Sequence, residues 1–269
     1  MTISVEAQQT EFSRNSIYPS SLSIIIPAYN EEKRIKPLLE ELIEFITKNN
    51  VSWEVIISLD GNDGTLQILN SYAENYSFIR YIKNGQRNGK GNAIKSALSL
   101  SEGEYVLFMD SDRSIQFEEI VKHLNSLENN DGILFERYSN SSNDIPLLRR
   151  IVSRGFNFLV RALLGITTKD TQTGYKLIRS DLAKEAFKKI TVTNTFFDVT
   201  LLYNIKKLGG KIKEVSVRYQ HDYGSKFNLI PEIIGQGMSL LGFKIAHSKL
   251  EKYIPKKIRE LYYRKFKWV

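Results

Sequence analysis

YVLFMDSDRS, residues 105–114, joins five apolar side chains to two carboxylates. Tyr105, Val106, Leu107, Phe108 and Met109 form an unbroken apolar run, the pattern of a strand buried on both faces of a parallel sheet. The run ends abruptly at Asp110 and Asp112. Ligands of open α/β sheets sit beyond the carboxyl ends of such strands. Ionised carboxylates resist desolvation, so an unpaired couple there is costly. A divalent cation carrying a diphosphate would relieve that cost, because Mg²⁺ and Mn²⁺ prefer carboxylate and phosphate oxygens. A plain polar turn has the same three letters, so the flanking sequence has to decide between the two.

Toward the N-terminus, the pattern repeats. Leu22 to Ile26 is an apolar strand stopped by Pro27, and Ala28-Tyr29-Asn30 make a turn. Glu31 and Glu32 oppose the dipole of a helix that carries Leu38, Leu39, Leu42, Ile43 and Ile46 at helical spacing and ends at Asn49-Asn50. A second strand, 53–59, terminates at Asp60-Gly61-Asn62-Asp63-Gly64, and a helix follows over 65–74. A third strand covers 78–82. Arg87-Asn88-Gly89-Lys90-Gly91 is a glycine-rich turn opening a helix over 92–100. Four alternations of strand and helix with short connections predict a mostly parallel, Rossmann-like α/β sheet flanked by helices. Acidic or glycine-bearing residues follow the strands, where a nucleotide site is built.

Beyond Ser114 the pattern is less regular. A helix is expected over 117–127, a strand over 132–135, and a polar loop over 136–146. The helix at 147–164 mixes Arg149, Arg150, Arg154 and Arg161 with large apolar residues. It is too charged to span a bilayer and suits an interface or a lipid groove. Residues 170–178 read as a loop entering a strand, 194–208 as a helix carrying Asp198, 212–219 as an alternating strand, and 221–226 as a turn. A last helix is expected over 228–247, starting near Pro231. Three segments result: a lead-in (1–21), an α/β domain (22–226) and a helical, basic-aromatic extension (227–269).

The 269 residues are 42% hydrophobic, enough for one large domain with a substantial core. There is no cysteine, which excludes disulfides, thiolate metal sites and a cysteine nucleophile. Three histidines leave little for a histidine-rich metal centre. The net charge of +8 and a pI near 9.4 point to an anionic partner. Residues 249–269 hold eight lysines and arginines against two glutamates, interleaved with Tyr253, Tyr262, Tyr263, Phe266 and Trp268. Such a segment suits an anionic membrane surface, although nucleic acid would be served by similar chemistry. No apolar run is long enough for a transmembrane helix, and no signal peptide is evident. The expected location is cytoplasmic, peripheral on the cytoplasmic face of a membrane.

SIIIPAYNEE (23–32), the acidic turn at Asp60, NGKG (88–91) and DSD (110–112) occur in the order and near the spacings of one large group. The chain resembles the family 2 glycosyltransferases of GT-A fold. DTQTGYKLI (170–178), FFDVTLL (196–202) and GSK (224–226) look like the branch that transfers hexoses to polyprenyl phosphates, and the DTQxGxKL form is most like the dolichyl-phosphate β-glucosyltransferases.

The resemblance implies roles. Pro27, Tyr29 and Glu31 would hold the base and ribose, and Asp60 the base. Lys90 would lie beside the nucleotide. Asp110 would touch the ribose or sugar and join Asp112 in holding Mg²⁺ or Mn²⁺. Arg137, Arg149 and Ser153 match positions that take the lipid phosphate in mannosyl members. Gln172 would contact the sugar or acceptor, Asp198 would lie near the reacting centre, and Ser225 and Lys226 would close over the phosphates. Three departures stand out. The usual D-D-G-S-x-D-G-T is shortened to LDGNDGT, which leaves Asp60 and Asp63 both open as the base contact. Mannosyl members carry a glutamine where Ser114 stands. A carboxylate two residues after Asp198 is replaced by Thr200.

The implied reaction is inverting: a hexose, glucose favoured over mannose, moves from a nucleotide diphosphate sugar (UDP-glucose favoured, GDP-mannose possible) to dolichyl or polyprenyl phosphate. A phosphate monoester is already ionised at neutral pH, so no strong general base is required. Two other readings stay open on sequence: a family 2 transferase with a soluble or polysaccharide acceptor, and a nucleotide- or nucleic-acid-binding protein without transferase activity. Intact Asp110, Asp112 and GSK disfavour the second, and no nucleic-acid partner is expected.

Overall fold

The computed structural model describes residues 18–85, 89–143, 145–190, 195–220 and 229–248. The first half alternates as its sequence predicts: β1 (Leu22–Tyr29), α1 (Glu32–Asn49), β2 (Trp53–Asp60), α2 (Thr65–Asn75), β3 (Ile79–Lys83), α3 (Lys90–Leu100) and β4 (Tyr105–Phe108). After it come α4 (Phe117–Val121), a 3₁₀ turn at Leu124–Leu127, β5 (Gly132–Glu136), α5 (Leu147–Leu164), β6 (Lys176–Arg179), α6 (Ser180–Lys188), α7 (Phe197–Lys207), β7 (Ile212–Ser216) and α8 (Leu229–Ala246).

One seven-stranded sheet runs in the order β3-β2-β1-β4-β6-β5-β7. β6 pairs antiparallel with both β4 and β5, and the other described pairings are parallel. Six strands therefore point one way and β6 points against them. Because β6 is reversed, it begins at the edge where the others end. That brings the DTQTGYKL segment to the carboxyl ends of β1, β2 and β4.

Alternate strand residues face opposite sides of a sheet, and the two faces carry different helices. Ile24, Ile26, Val55, Ile57 and Leu107 pack with Ile35, Leu38, Leu39 and Leu42 of α1. Ile25, Ile56, Val106 and Phe108 pack with α3, α6 and α7 through Ile94, Ala97, Ala183, Phe197 and Leu201. A third cluster joins Val160 and Leu164 of α5 to Leu240 and Phe243 of α8 and Phe196 and Val199.

Several boundaries differ from the sequence reading. β1 continues through Pro27 to Tyr29. Its pairing with β4 ends at Ile25, so from Pro27 on only β2 flanks it, and a residue without N–H is tolerated where a strand is paired on one side. The expected helix over 117–127 breaks at Lys122 into α4 and a 3₁₀ turn. α6, absent from the sequence reading, starts directly where β6 ends. Its short apolar set (Leu182, Ala183, Ala186, Phe187) gives less than three turns of periodicity. The strand expected over 212–219 ends at Ser216. α1 ends at Asn50, which takes the left-handed conformation (φ 47°) that terminates helices.

Candidate active site

The turns after β1 and β2 interlock. Asn30 is left-handed (φ 55°) and its Oδ1 accepts the Asn62 N–H at 3.1 Å. Gly61, at φ 103°, lies so close that a Cβ would collide with the Asn30 side chain. Asp63 accepts N–H groups from Glu32 (3.1 Å) and Thr65 (3.1 Å) and the Thr65 hydroxyl (2.6 Å). Burial opposes its ionisation, but these bonds outweigh it and hold the carboxyl below its ordinary value. Asp63 thus serves the starts of two helices. Asp60, buried at the end of β2, accepts from Asn84 Nδ2 at 2.8 Å, and that amide also reaches Ser58 Oγ at 3.0 Å. The shortened LDGNDGT turn therefore divides its acids: Asp63 anchors the backbone, and Asp60 lines the sheet edge.

Pro27 is half-buried in β1, and Tyr29 at its end is 45% exposed. Glu31 follows, paired with Arg34 at 3.4 Å. Burial raises its carboxyl above the ordinary value. Arg34 and a hydrogen bond from Ser111 offset that in part, while Asp112 and Asp110 add to it.

At the end of β4, Asp110 pairs with Lys90 from the first turn of α3. Burial works against charge on both. For Asp110 the Lys90 ammonium, with Lys176 and Arg137, prevails, and the carboxyl lies below its ordinary value. For Lys90 the charges of Asp110 and Asp198 prevail, and the ammonium lies above its own. Gly174 presses on the Asp110 carboxylate, where any Cβ would overlap it. Asp112 sits one residue before Arg113, a non-glycine residue at φ 55°. Arg113 Nε is held by Glu41 of α1 at 2.8 Å, and the other oxygen of Glu41 accepts the Phe117 N–H at 2.9 Å. A left-handed arginine is strained, and Glu41 holds this one together with Gln116, which bonds both its Nη2 and its carbonyl at 3.4 Å.

The DTQTGYKL segment closes the site from the β6 side. Asp170, fully buried, takes Arg137 in a bidentate pair: Nε at 2.7 Å and Nη2 at 2.9 Å. Burial opposes the Arg137 charge, but Asp170 outweighs it and raises the guanidinium well above its ordinary value. Thr171 is tied to Asn157 of α5 through N–H (3.0 Å) and hydroxyl (2.7 Å). Gln172 is the one side chain of 170–178 that is not buried. Tyr175 is buried with its hydroxyl 3.3 Å from Asp112 Oδ1. Burial, then Asp112 and Asp110, push that phenol well above its ordinary value, so it stays protonated. Lys176, 1% exposed, pairs with Asp198 at the start of α7 and also donates to the Thr173 carbonyl. Burial dominates both partners: it lowers the lysine and raises the aspartate, against their mutual attraction.

The fold therefore brings together Tyr29, Glu31, Asp60, Lys90, Asp110, Asp112 and Asp198 at the edge that the DTQTGYKL segment closes. Arg149 and Ser153 lie half-buried on the first two turns of α5, where Arg149 is near enough to Tyr219 to bias its phenol. Ser225 and Lys226, with His221, residues 1–17 of the 1–21 lead-in and the 249–269 tail, lie outside the described residues. Sequence reasoning missed Glu41, Asn84, Asn157, Tyr175 and Lys176. The one available signal was a lysine inside the apolar run that enters β6, which demands a buried counter-charge.

Among the described residues, no group of three or more His, Asp or Glu is arranged to hold a metal ion. Two carboxylates one residue apart still fit an ion that arrives with its remaining ligands. Mg²⁺ is commonly held by one or two carboxylates together with substrate phosphates.

The profile of Glycosyl transferase family 2 matches residues 23–187. A dolichyl-phosphate beta-glucosyltransferase of Dictyostelium discoideum is 34% identical over 245 residues, covering 83% of this chain and 75% of its own. Enzymes of the same name from Drosophila melanogaster (32%, 76% and 68%) and Homo sapiens (30%, 84% and 75%) are similar. Among solved structures, glucosyl-3-phosphoglycerate synthase of M. tuberculosis superposes with a TM-score of 0.61 at 19% identity, covering 84% of this chain and 80% of its own. The same enzyme with Mn²⁺, UDP-glucose and glycerol 3-phosphate gives 0.59 at 18%, covering 83% and 80%. At that identity the likeness is one of fold.

Proposed function

We propose that this chain, which belongs to the family 2 glycosyltransferases, transfers glucose from UDP-glucose to a dolichyl or related polyprenyl phosphate with inversion at the anomeric carbon. The observation that carries the reading is the pairing of two things. Relatives named for that reaction match more than three quarters of the chain. DTQTGYKL, the segment whose form resembles theirs, packs directly on Asp110 and Asp112.

Tyr29 offers an exposed ring on which a base can stack, with Pro27 two residues before it in β1 and Asp60 and Glu31 to accept from base and ribose. Asp110 and Asp112 would hold Mg²⁺ or Mn²⁺ on the diphosphate. That ion, when bound, offsets the charge developing on the leaving nucleoside diphosphate. Lys90 starts on Asp110 and lies beside the same phosphates. Gln172 orients the sugar or the acceptor. The nucleophile is an oxygen of the acceptor phosphate, already ionised, and it attacks the face opposite the diphosphate. No residue has to remove its proton. This agrees with Asp198, which the resemblance puts near the reacting centre, being paired with Lys176 rather than poised as a base. Arg149, Ser153, Ser225 and Lys226 would steer and hold the acceptor phosphate, with Arg137 confined to what its bidentate pairing with Asp170 leaves.

The lipid acceptor requires a membrane surface, and α5 and α8 offer one. Leu147, Leu148, Ile151, Phe158 and Leu159 are exposed on α5. Ile234, Met238, Leu241 and Ile245, spaced by four, three and four, are exposed on α8. Arg149, Arg150, Arg154, Arg161 and Lys244 accompany these stripes. Apolar stripes with basic neighbours bind anionic interfaces. No helix among the described residues is long and apolar enough to cross a membrane.

The test is a transfer assay on vesicles containing dolichyl phosphate, with Mg²⁺ or Mn²⁺ and labelled UDP-glucose, GDP-mannose and UDP-N-acetylglucosamine in parallel. Lipid-extractable label from UDP-glucose is expected, and none from any donor overturns the reading. Co-sedimentation with the same vesicles is expected to fall in an Ile151→Glu, Leu241→Glu double variant, and unchanged sedimentation would remove the membrane face.

A further inference from the structure

Ser114 follows Asp112 by two residues, which raises the question of what supports the second aspartate here. Ser114 is 5% exposed, and its hydroxyl donates to the Tyr175 hydroxyl at 3.4 Å. The same phenol accepts the Ile115 N–H at 3.4 Å and donates to Asp112 Oδ1 at 3.3 Å. A phenolic hydroxyl has one proton to give and two lone pairs to fill, and all three are used. Asp112 Oδ1 also accepts the Ser114 N–H at 2.9 Å. The hydroxyl contacts are long for O–H···O bonds, so each is weak. Their number, and the burial of the tyrosine at 1% exposure, fix the ring and the carboxylate together.

We infer that Tyr175 is a positioning residue for Asp112, and that Ser114 is a link in its hydroxyl relay rather than a ligand of the metal. Metal-binding carboxylates are oriented by outer partners, and loss of such a partner weakens metal affinity. In this chain that partner comes from the entry to β6, the antiparallel neighbour of β4. Gly174 packs against Asp110 and the next residue, Tyr175, holds Asp112, so one turn before β6 sets both carboxylates. With Oδ1 gripped by Ser114 N–H and the phenol, the Asp112 carboxylate is held against rotation before any donor arrives.

The inference rests on the metal-borne donor proposed above, and the experiment separates the two. Mn²⁺ is titrated into the purified chain with UDP present, free Mn²⁺ being read by electron paramagnetic resonance, and UDP binding without metal is measured by calorimetry. Tyr175→Phe keeps the ring and removes the hydroxyl; it is expected to weaken Mn²⁺ binding about tenfold while UDP binding without metal is unchanged. Ser114→Ala, which leaves the phenol on Asp112, is expected to produce a smaller loss. In an Asp112→Ala background, Tyr175→Phe is expected to add nothing. Wild-type Mn²⁺ affinity in Tyr175→Phe overturns the inference, whatever Ser114→Ala does. An equal loss of metal-free UDP binding also overturns it, because that marks general distortion. If the wild-type chain binds no Mn²⁺ with either UDP or GDP, the metal-borne donor fails first and the positioning role falls with it.

Discussion

Two half-buried glutamates, at opposite ends of the same parallel strands, have opposite electrostatics. Glu54, second residue of β2, is at the amino edge of the sheet. Its Oε1 accepts the Ser23 hydroxyl at 2.6 Å and the Glu102 N–H at 2.7 Å, and Arg80 of β3 pairs with the other oxygen. Burial opposes its ionisation, but these partners prevail and the carboxyl lies below its ordinary value. Glu31, at the carboxyl edge, has one arginine beside it and two aspartates nearby, and its carboxyl lies above its ordinary value. One edge spends its charges on joining strands. The other sets Asp110 and Asp112 near Glu31, where they add to the cost of its charge, the kind of perturbation that clusters at functional sites.

The contrast can be broken most severely at Asp112. Asp112→Ala is expected to reduce transfer by about a thousandfold or more while the chain stays folded. Unchanged turnover would mean that the acids of the carboxyl edge do not serve the donor. A middling effect is expected at the amino edge. Glu54→Gln removes charge from a saturated site and is expected to cost about 2 kcal/mol, or about 5 °C in Tm, with the KM for donor unchanged. The sign follows from the depressed carboxyl: its contribution is present above the ordinary value of 4.5 and lost as pH falls through the folded value. The Tm gap between wild type and variant should therefore narrow as pH falls below 4.5, and a gap that widens in acid would contradict the assignment. The smallest effect is expected at Glu31. Its carboxyl is raised, so the ionised form is a penalty in the folded state above the folded value, and the penalty vanishes as pH falls below 4.5. Glu31→Gln should raise Tm slightly at pH 7, by about 1–2 °C, and the gain should shrink in acid. A loss of Tm at pH 7 would place Glu31 with Glu54 and erase the contrast.

Much of the site was legible because it follows the parallel strands. Tyr29, Glu31, Asp60, Lys90, Asp110 and Asp112 each sit just past a strand or at a helix start, and the rule that places ligands at that edge needs only strand order along the chain. Asp198 and Gln172 came from motif resemblance. Their surroundings did not, because they depend on β6 being inserted antiparallel between β4 and β5. Arg137 shows the limit. Its motif position suggests a phosphate ligand, while its Nε and Nη2 are engaged by a buried aspartate 33 residues away. Glu41 and Tyr175 act across 72 and 63 residues respectively, and no local pattern of either segment encodes that reach.

By itself the sequence determined the alternation of strands and helices, the acidic strand end at 110–112 and the basic, apolar character of the helix at 147–164, because each rests on local periodicity and composition. Only the tertiary structure decided which acids are spent and which are held ready. Asp63, Glu54 and Asp170 are saturated by partners from other elements, whereas Asp112 is gripped on one oxygen by a tyrosine from the reversed strand. The charge on a carboxylate is written in the chain, but its freedom is set by the donors and the burial that surround it after folding, and those come from residues far away in sequence.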